Sequence, residues 1–462
     1  MLDEGLIFEV LRSVLSRGGE YADIFVEHRK TTSLQLEDNK IEKVIEGVES
    51  GAGIRLISGK KTSFAFSNDL SRDSIIALAS SLSRTSGTAG PDLILDLRRL
   101  RPQVDFVIEV SPDEIPVGKK IDLLKSADHS ARSCDRRITQ VTAFYRDFIQ
   151  RIQVANSEGA IAEDERIHTI AAITVVAASD GTIQTAYEAD GGLIGFELFK
   201  KISVDELALT ASRRAVAMLT SKRAPGGRMP IVISSAAGGT MIHEAIGHGL
   251  EADLAQQGLS VYSNKIGMEV ASRLVNVIDD PTLPNKRGSF RFDDEGTPAE
   301  RTILVDGGML VGFMYDRLSA MRDGAASTGN GRRESYRHRP IPRMTNTFIA
   351  PGESSPDEVL RSTPNGFFVR KMGGGQVNTV TGDFVFDVQE GFLIENGLIG
   401  DPVRGATLIG NGPEVLRSID MVASDLGFSI GTCGKDSQGV PISDAMPTIR
   451  IPEMVVGGEV KV

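Results

Sequence analysis

An α+β fold in two modules is predicted for this chain: an N-terminal helix-and-strand domain, then a C-terminal β-rich domain carrying a histidine-bearing helix. Three observations predict it. Apolar and polar residues alternate with period two in many short stretches, the mark of half-buried strands. Amphipathic helical stretches concentrate in the first half. Between the halves, Arg223-Ala224-Pro225-Gly226-Gly227 interrupts every pattern, so the domains are expected to span 1–222 and 223–462. A chain of 462 residues is long enough for each to have its own core.

Residues 3–17 read as a helix with Leu6, Ile7, Val10, Leu11 and Leu15 on one side. Asp3 is placed to cap its start, and Gly18-Gly19 ends it. Alternating stretches at 22–27, 33–37 and 53–57, punctuated by Asn39, Gly51 and Gly59, predict an antiparallel meander. A helix is expected from Ser71 to about Leu82, and the Ser-, Thr- and Gly-rich stretch 83–91 reads as a loop. Another helix should run over 119–133, followed by two or three strands, one of them containing 169–176, and a long helix over 203–221. The second half opens with a buried strand at 229–234 that feeds a helix. Short strands are then expected at 302–305, 310–315, 367–372, 384–386, 392–394 and 448–451, with some helix at 413–426.

Composition narrows the function classes. With 40% hydrophobic and 24% charged residues the chain is ordinary for a globular protein. A net charge of -11 argues against a phosphate-tracking nucleic-acid face. No apolar run approaches the roughly 20 residues of a membrane helix, and the opening residues lack the pattern of a secretory signal. Two cysteines build no disulfide framework, and a cytoplasmic protein with reduced thiols is expected.

The most informative stretch is His243-Glu244-Ala245-Ile246-Gly247-His248-Gly249-Leu250-Glu251-Ala252-Asp253, which holds two of the six histidines. Imidazole nitrogen suits zinc, and a carboxylate beside a metal site can take a proton from an attacking water. Five residues apart, the two rings would diverge by about 140° on a regular α-helix, against about 40° for four residues. The helix is therefore predicted to widen by one residue between them, as in a π-type turn. Gly247 and Gly249 are read as tolerating that distortion.

A catalytic zinc keeps three protein ligands and one open position, so a third ligand must come from elsewhere. Cys433, Glu251, Asp253 and His338 are the candidates. Cys433 lies in Gly431-Thr432-Cys433-Gly434-Lys435, read as a polar loop in which Lys435 favours the thiolate. Glu251, three residues past His248, could ligate the ion or orient the imidazole from behind. Asp253 has the same two options, or a cap or surface pair. His338 sits among Arg332, Arg333, Arg337 and Arg339. Such a segment is either a solvated face or, folded over a cleft, a binder of carboxylate or oxyanion. His28, His129 and His168 are read as structural, and Cys134 as incidental. Gly373-Gly374-Gly375 lacks the Lys-Ser/Thr ending of a phosphate loop and reads as a close backbone approach or a substrate-facing loop.

The stretch from His243 to Asp253 resembles the signature of the TldD/PmbA metallopeptidases, in particular the TldD branch. The likeness extends through Asn330-Gly331-Arg332-Arg333-Glu334-Ser335-Tyr336, Pro342-Arg343-Met344-Thr345-Asn346-Thr347, Gly373-Gly374-Gly375-Gln376-Val377 and Thr432-Cys433-Gly434-Lys435-Asp436, and more loosely through Gly51-Ala52-Gly53-Ile54-Arg55. The resemblance implies Zn2+ held by His243, His248 and Cys433, with Glu244 as catalytic base. It also implies a dimer, either of this chain or with a PmbA/TldE-like subunit, whose internal cavity takes unfolded peptides in extended form. Strand addition of the peptide to a sheet edge near the metal fits the β-rich second half. Two rival readings are a non-catalytic assembly subunit with a closed structural zinc site and a regulator associated with DNA gyrase control.

Overall fold

The computed structural model describes residues 1–87 and 95–459. Part of the loop expected over 83–91 lies outside the described residues. The first half forms one seven-stranded sheet in the spatial order Lys61–Ser67, Lys40–Ser58, Tyr21–Glu37, Ile138–Asn156, Ala160–Ser179, with Thr182–Leu193 and the short Arg98–Arg99 both pairing with the last. The meander is present, but the stretches at 22–27 and 33–37 are parts of one 17-residue strand.

That strand shows how the sheet is used. Even-numbered residues point to one face, where Ala22, Ile24 and Val26 pack under the helices Glu4–Leu15 and Arg72–Ser83. On the same face Leu34 and Leu36 pack under Val117–Cys134 and Val204–Thr220. The odd-numbered Asp23, Phe25 and Glu27 are buried as well, because their face meets the second half of the chain. Burial on both faces explains an uninterrupted buried run over 21–27, where a one-faced strand would alternate. Asp3 caps the first helix, its carboxylate accepting from the Leu6 N–H at 2.9 Å.

The second half builds two large sheets and a two-stranded pair, Gly331–Arg332 with Ile341–Pro342. Asn365–Val377, Gly227–Ile233, Ile449–Gly457, Thr407–Asn411 and Asp383–Glu395 pair in that order, and pairing of the first with the last closes them into a ring. Leu398–Arg404 extends it and pairs in turn with Lys222–Arg223. The other sheet runs Met309–Leu310, Thr302–Asp306, Val277–Asp279, Asn346–Ile349, Gln438–Met446, Gly427–Lys435, which leaves Gly427–Lys435 at its edge. The histidine-bearing segment is held in the core both sheets share. Met241, Ile242, Ala245 and Ile246 pack with Ile231, Val369 and Phe386 of the ring and with Val277, Ile349 and Ile442 of the second sheet.

Two expectations change here, and a third resolves between its alternatives. The strand expected over 310–315 ends at Leu310, after which the chain turns so that Met314 bridges to Glu251. The helix expected over 413–426 is Gly412–Ser418 and gives way to the short strand Met421–Val422 against Ile449–Gly457. Gly373–Gly375 belongs to the strand Asn365–Val377, whose register with its partner slips between Met372 and Gly375. The glycines thus sit at a bulge in a strand, and of the two readings the close approach holds at Gly375, where a Cβ would meet the Phe386 ring at 2.0 Å.

Candidate metal centre

Helix geometry changes where the sequence requires it. The backbone is α-helical over Thr240–Ile242, widens over His243–Gly247, and tightens over His248–Leu250. The His248 N–H bonds to the His243 carbonyl, an i to i+5 bond. Tyr262 donates its hydroxyl to the Ala245 carbonyl at 2.9 Å, fastening the widened segment from outside. The two imidazoles therefore meet, with ring centroids 4.9 Å apart and planes at 89°.

Gly247 is not there for backbone freedom, as the sequence reading had it. Its φ of -54° and ψ of -57° suit any residue. A Cβ would instead meet Met344 Sδ at 2.2 Å, and one on Gly249 would meet the Tyr262 ring at 2.6 Å. Packing space against the neighbouring chain is the reason for both glycines.

The third donor arrives on a hairpin. Gly427–Lys435 pairs with Gln438–Met446 across a turn in which Asp436 and Ser437 both have positive φ. Cys433 is consequently buried in a strand within the apolar core, contrary to the polar loop expected from its glycine neighbours. Its sulfur lies 3.6 Å from His248 Nε2, and the donor atoms of His243, His248 and Cys433 all fall within 4.8 Å of one another. Arg343, fully buried, donates to the carbonyls of Cys433 and Gln438 and so clamps the hairpin.

The electrostatics favour the thiolate a metal requires but not neutral imidazoles. Burial opposes charge on His243 and His248, yet Cys433, and for His248 Glu251 as well, raises both above their ordinary value, so an incoming metal displaces their protons. Burial opposes ionisation of the Cys433 thiol, but hydrogen bonds and charge from His243 and His248 outweigh it and bring the thiol down to about 5. The expected helper, Lys435, acts elsewhere: its ammonium sits 3.1 Å from Glu251 and 2.6 Å from Asp253. Glu251 is fully buried. Burial would raise it, yet Lys435, His248 and Arg343 hold it down at about 2. Its Oε2 lies 3.0 Å from His248 Nδ1, which turns Nε2 toward the sulfur. Glu251 thus orients an imidazole, and Asp253 balances Lys435. Neither joins the donor group, and among the described residues no fourth donor does.

Asp444 was not foreseen. It lies on the returning strand opposite Ser429, receives the Gly239 N–H at 3.2 Å, and stands 3.9 Å from His243 Nδ1, a buried nitrogen without a hydrogen-bond partner. The signal available in the sequence was an acid in an apolar strand, Ile442-Ser443-Asp444-Ala445-Met446. His338 is not brought to the centre. Its Nδ1 pairs with Ser335 Oγ at 3.1 Å, in a segment where the Tyr336 N–H bonds to Glu27 of the first sheet.

His243 and Glu244 open on a cleft of about 560 Å³. Tyr187 and Asp190 of the edge strand Thr182–Leu193 line one side, and Phe428 and Thr432 of the edge strand Gly427–Lys435 line another, with Gly373 and Gly374 between. Burial raises the Glu244 carboxyl above its ordinary value. Two nitrogens and one thiolate gathered at one end of a cleft, with a carboxylate beside them and, among the described residues, no fourth protein donor, fit a catalytic transition-metal site with an open position.

The sequence matches the PmbA/TldA metallopeptidase domain 1 over residues 22–86, the central domain over 110–219 and the C-terminal domain over 226–458. A Haemophilus influenzae protein named as a metalloprotease TldD homolog is 36% identical over 461 residues, covering 98% of this chain and 95% of its own. Two solved structures share the fold. A Thermotoga maritima protein named for modulation of a DNA gyrase aligns with a TM-score of 0.79 at 21% identity, covering 95% of this chain and 96% of its own. TldE from Thermococcus kodakarensis aligns at 0.74 and 18%, covering 98% and 99%. By family match and by identity along nearly its whole length, the chain belongs to the TldD/PmbA family of metallopeptidases.

Proposed function

We propose that this chain is a zinc peptidase acting on unfolded or extended peptides. The observation that carries the reading is the convergence of His243, His248 and Cys433 beside Glu244 at the cleft. A mixed nitrogen and thiolate donor set suits zinc, which when bound supplies a Lewis acid and an acidified water. Glu244 is the general base: it takes the proton of the attacking water and returns it to the departing amine. Glu251 fixes the His248 ring, and burial of Cys433 keeps competing oxidants from the thiolate.

Two sheet edges line the cleft, so an extended peptide has a strand edge to pair with on either side. This supports selection by backbone shape, and folded substrates are excluded because their amides are already paired. The division into 1–222 and 223–462 is proposed on the ground that the helix Val204–Thr220 still packs in the core of the first sheet, whereas Ala224 belongs to the core of the second half. A dimer, with itself or with a TldE-like subunit, is proposed from the shared fold of TldE. The open donor position argues against the closed site of a purely structural zinc.

The test is metal analysis of the purified protein together with digestion of an unfolded peptide with and without chelator. One zinc per chain and chelator-sensitive cleavage that zinc restores are expected. Cleavage indifferent to chelator would overturn the reading.

A further inference from the structure

Where the two halves of the chain meet, six arginines, Arg29, Arg146, Arg166, Arg287, Arg332 and Arg333, line one cavity of about 160 Å³. Some are balanced. Arg166 is paired with Asp164 at 3.2 Å and Asp294 at 2.7 Å, and Arg333 lies 3.6 Å from Asp23. The others are not. Arg332 is 4% exposed and donates only to the carbonyls of Met344 and Pro441, at 2.6 and 2.7 Å. Arg287, 8% exposed, donates to the Gly431 carbonyl at 2.9 Å and to Thr432 Oγ1 at 3.1 Å, while its Nη1 has no partner. Arg29 rests on the Phe148 ring, and the Nε atoms of Arg29 and Arg146 are buried without partners.

The acids nearby are already engaged. Glu27 accepts from Gln150 and from the Tyr336 N–H, both at 2.8 Å, and Glu334 accepts from the Gly439 N–H at 2.6 Å. Burial, then repulsion from Arg146 and Arg29, pushes Arg287 down to about 10. Guanidinium charge is costly to bury without a counter-ion. Six arginines against the two acids that line the cavity, Asp294 and Glu334, leave it with an excess of positive charge, which an anion from outside the chain would balance. The planar fork of arginine recognises oxyanions in two-point fashion, carboxylate foremost among those a peptide carries.

The cavity adjoins the cleft. Thr432 lines both, Arg287 hydrogen-bonds it, and Cys433 is the next residue. We propose that this arginine cavity receives a carboxylate of the substrate peptide, anchoring a chain laid along Gly427–Lys435. The proposal rests on the peptidase reading for its ligand, and on the arginines alone for its charge. The carboxylate has two sources, the peptide C-terminus or an Asp or Glu side chain.

Matched pairs of short unfolded peptides distinguish them: free acid against C-terminal amide, and internal Glu against Gln. In at least one pair the anionic member should have a KM lower by about tenfold or more, the scale of one charge-assisted hydrogen bond. That ratio should collapse in Arg287→Gln and in Arg332→Gln, and recover only in part in Arg287→Lys, which keeps the charge without the fork. Equal KM values within both pairs on the wild-type enzyme would overturn the proposal without any variant. A second measurement needs no turnover. Inorganic phosphate at constant ionic strength should raise the Tm of the wild type and not of Arg287→Gln; no rise in the wild type overturns the anion site. Phosphate stabilisation without hydrolysis of any peptide overturns the peptidase reading and the substrate as ligand, and leaves the anion site standing.

Discussion

On the proposed reading, Glu244 and Cys433 separate the two things the centre must do, move a proton and hold an ion. Glu244→Gln keeps the shape and removes the base, so peptide cleavage should fall by about 100- to 10,000-fold while zinc content stays at the wild-type level. Cys433→Ser attacks the other function. A hydroxyl stays neutral where the thiol is brought down to about 5 by the two imidazoles, and a neutral oxygen is a far poorer partner for the ion than thiolate. Zinc content measured after dialysis should drop in the serine variant, and activity with it. Full metal occupancy in that variant would make Cys433 a bystander, and undiminished cleavage by Glu244→Gln would assign the proton to another group. Glu251 works one layer out. The charge it places 3.0 Å from His248 Nδ1 is itself neutralised by Lys435, an arrangement that orients the ring without leaving a buried charge unpaired.

The widened turn is the element on which the centre depends, and it was legible because histidine spacing alone demands it: two rings five residues apart cannot share an ion on a regular helix. The role of Gly247 was not legible, since it depends on Met344, a residue about 100 positions away that sequence spacing does not place. Gly247→Ala tests that role. Local propensity favours alanine by up to about 1 kcal/mol, whereas forcing a methyl against buried Met344 costs about 1–3 kcal/mol. Overpacking should win, giving a lower Tm and weaker zinc retention; an alanine variant more stable than wild type would mean that Met344 yields and that neither packing space nor backbone freedom requires the glycine. The hairpin of Cys433 was hidden for a different reason. Gly431-Thr432-Cys433-Gly434 has no apolar alternation, and its turn uses Asp436-Ser437 in place of the Asn-Gly that announces such hairpins. Its strand state comes from pairing with Gln438–Met446, which is tertiary information. The meander of the first half was readable from period two, but the run of burial over 21–27 could not reveal that the far face of the sheet meets the second half of the chain.

At the scale of the whole molecule, the cleft exists because two halves are held together through buried charge. Arg55 joins Asp23 of its own sheet to Glu295 of the second half, 2.7 Å away, and Arg166 of the first half pairs with Asp294 of the second at 2.7 Å. Beside Glu295 lies Asp316, which caps the helix Arg317–Asp323 by accepting from the Ser319 N–H at 2.8 Å. Burial, and then the charge of Glu295, pushes its carboxyl up to about 7. The sign follows from linkage. A carboxyl raised in the folded state keeps its proton there while the unfolded chain loses it, so its contribution is complete below the ordinary value of 3.8 and is lost as pH rises through about 7. Within that window the loss approaches about 1 kcal/mol per pH unit. Asp316→Asn retains an oxygen for the cap and cannot titrate, so its Tm should fall less than that of the wild type between pH 5 and pH 7, and the two curves should converge or cross toward neutral pH. Curves that stay parallel across the window would mean that Asp316 is ionised throughout. In that case Arg55, shared between Asp23 and Glu295, would be balancing more negative charge at this junction than its two partners supply.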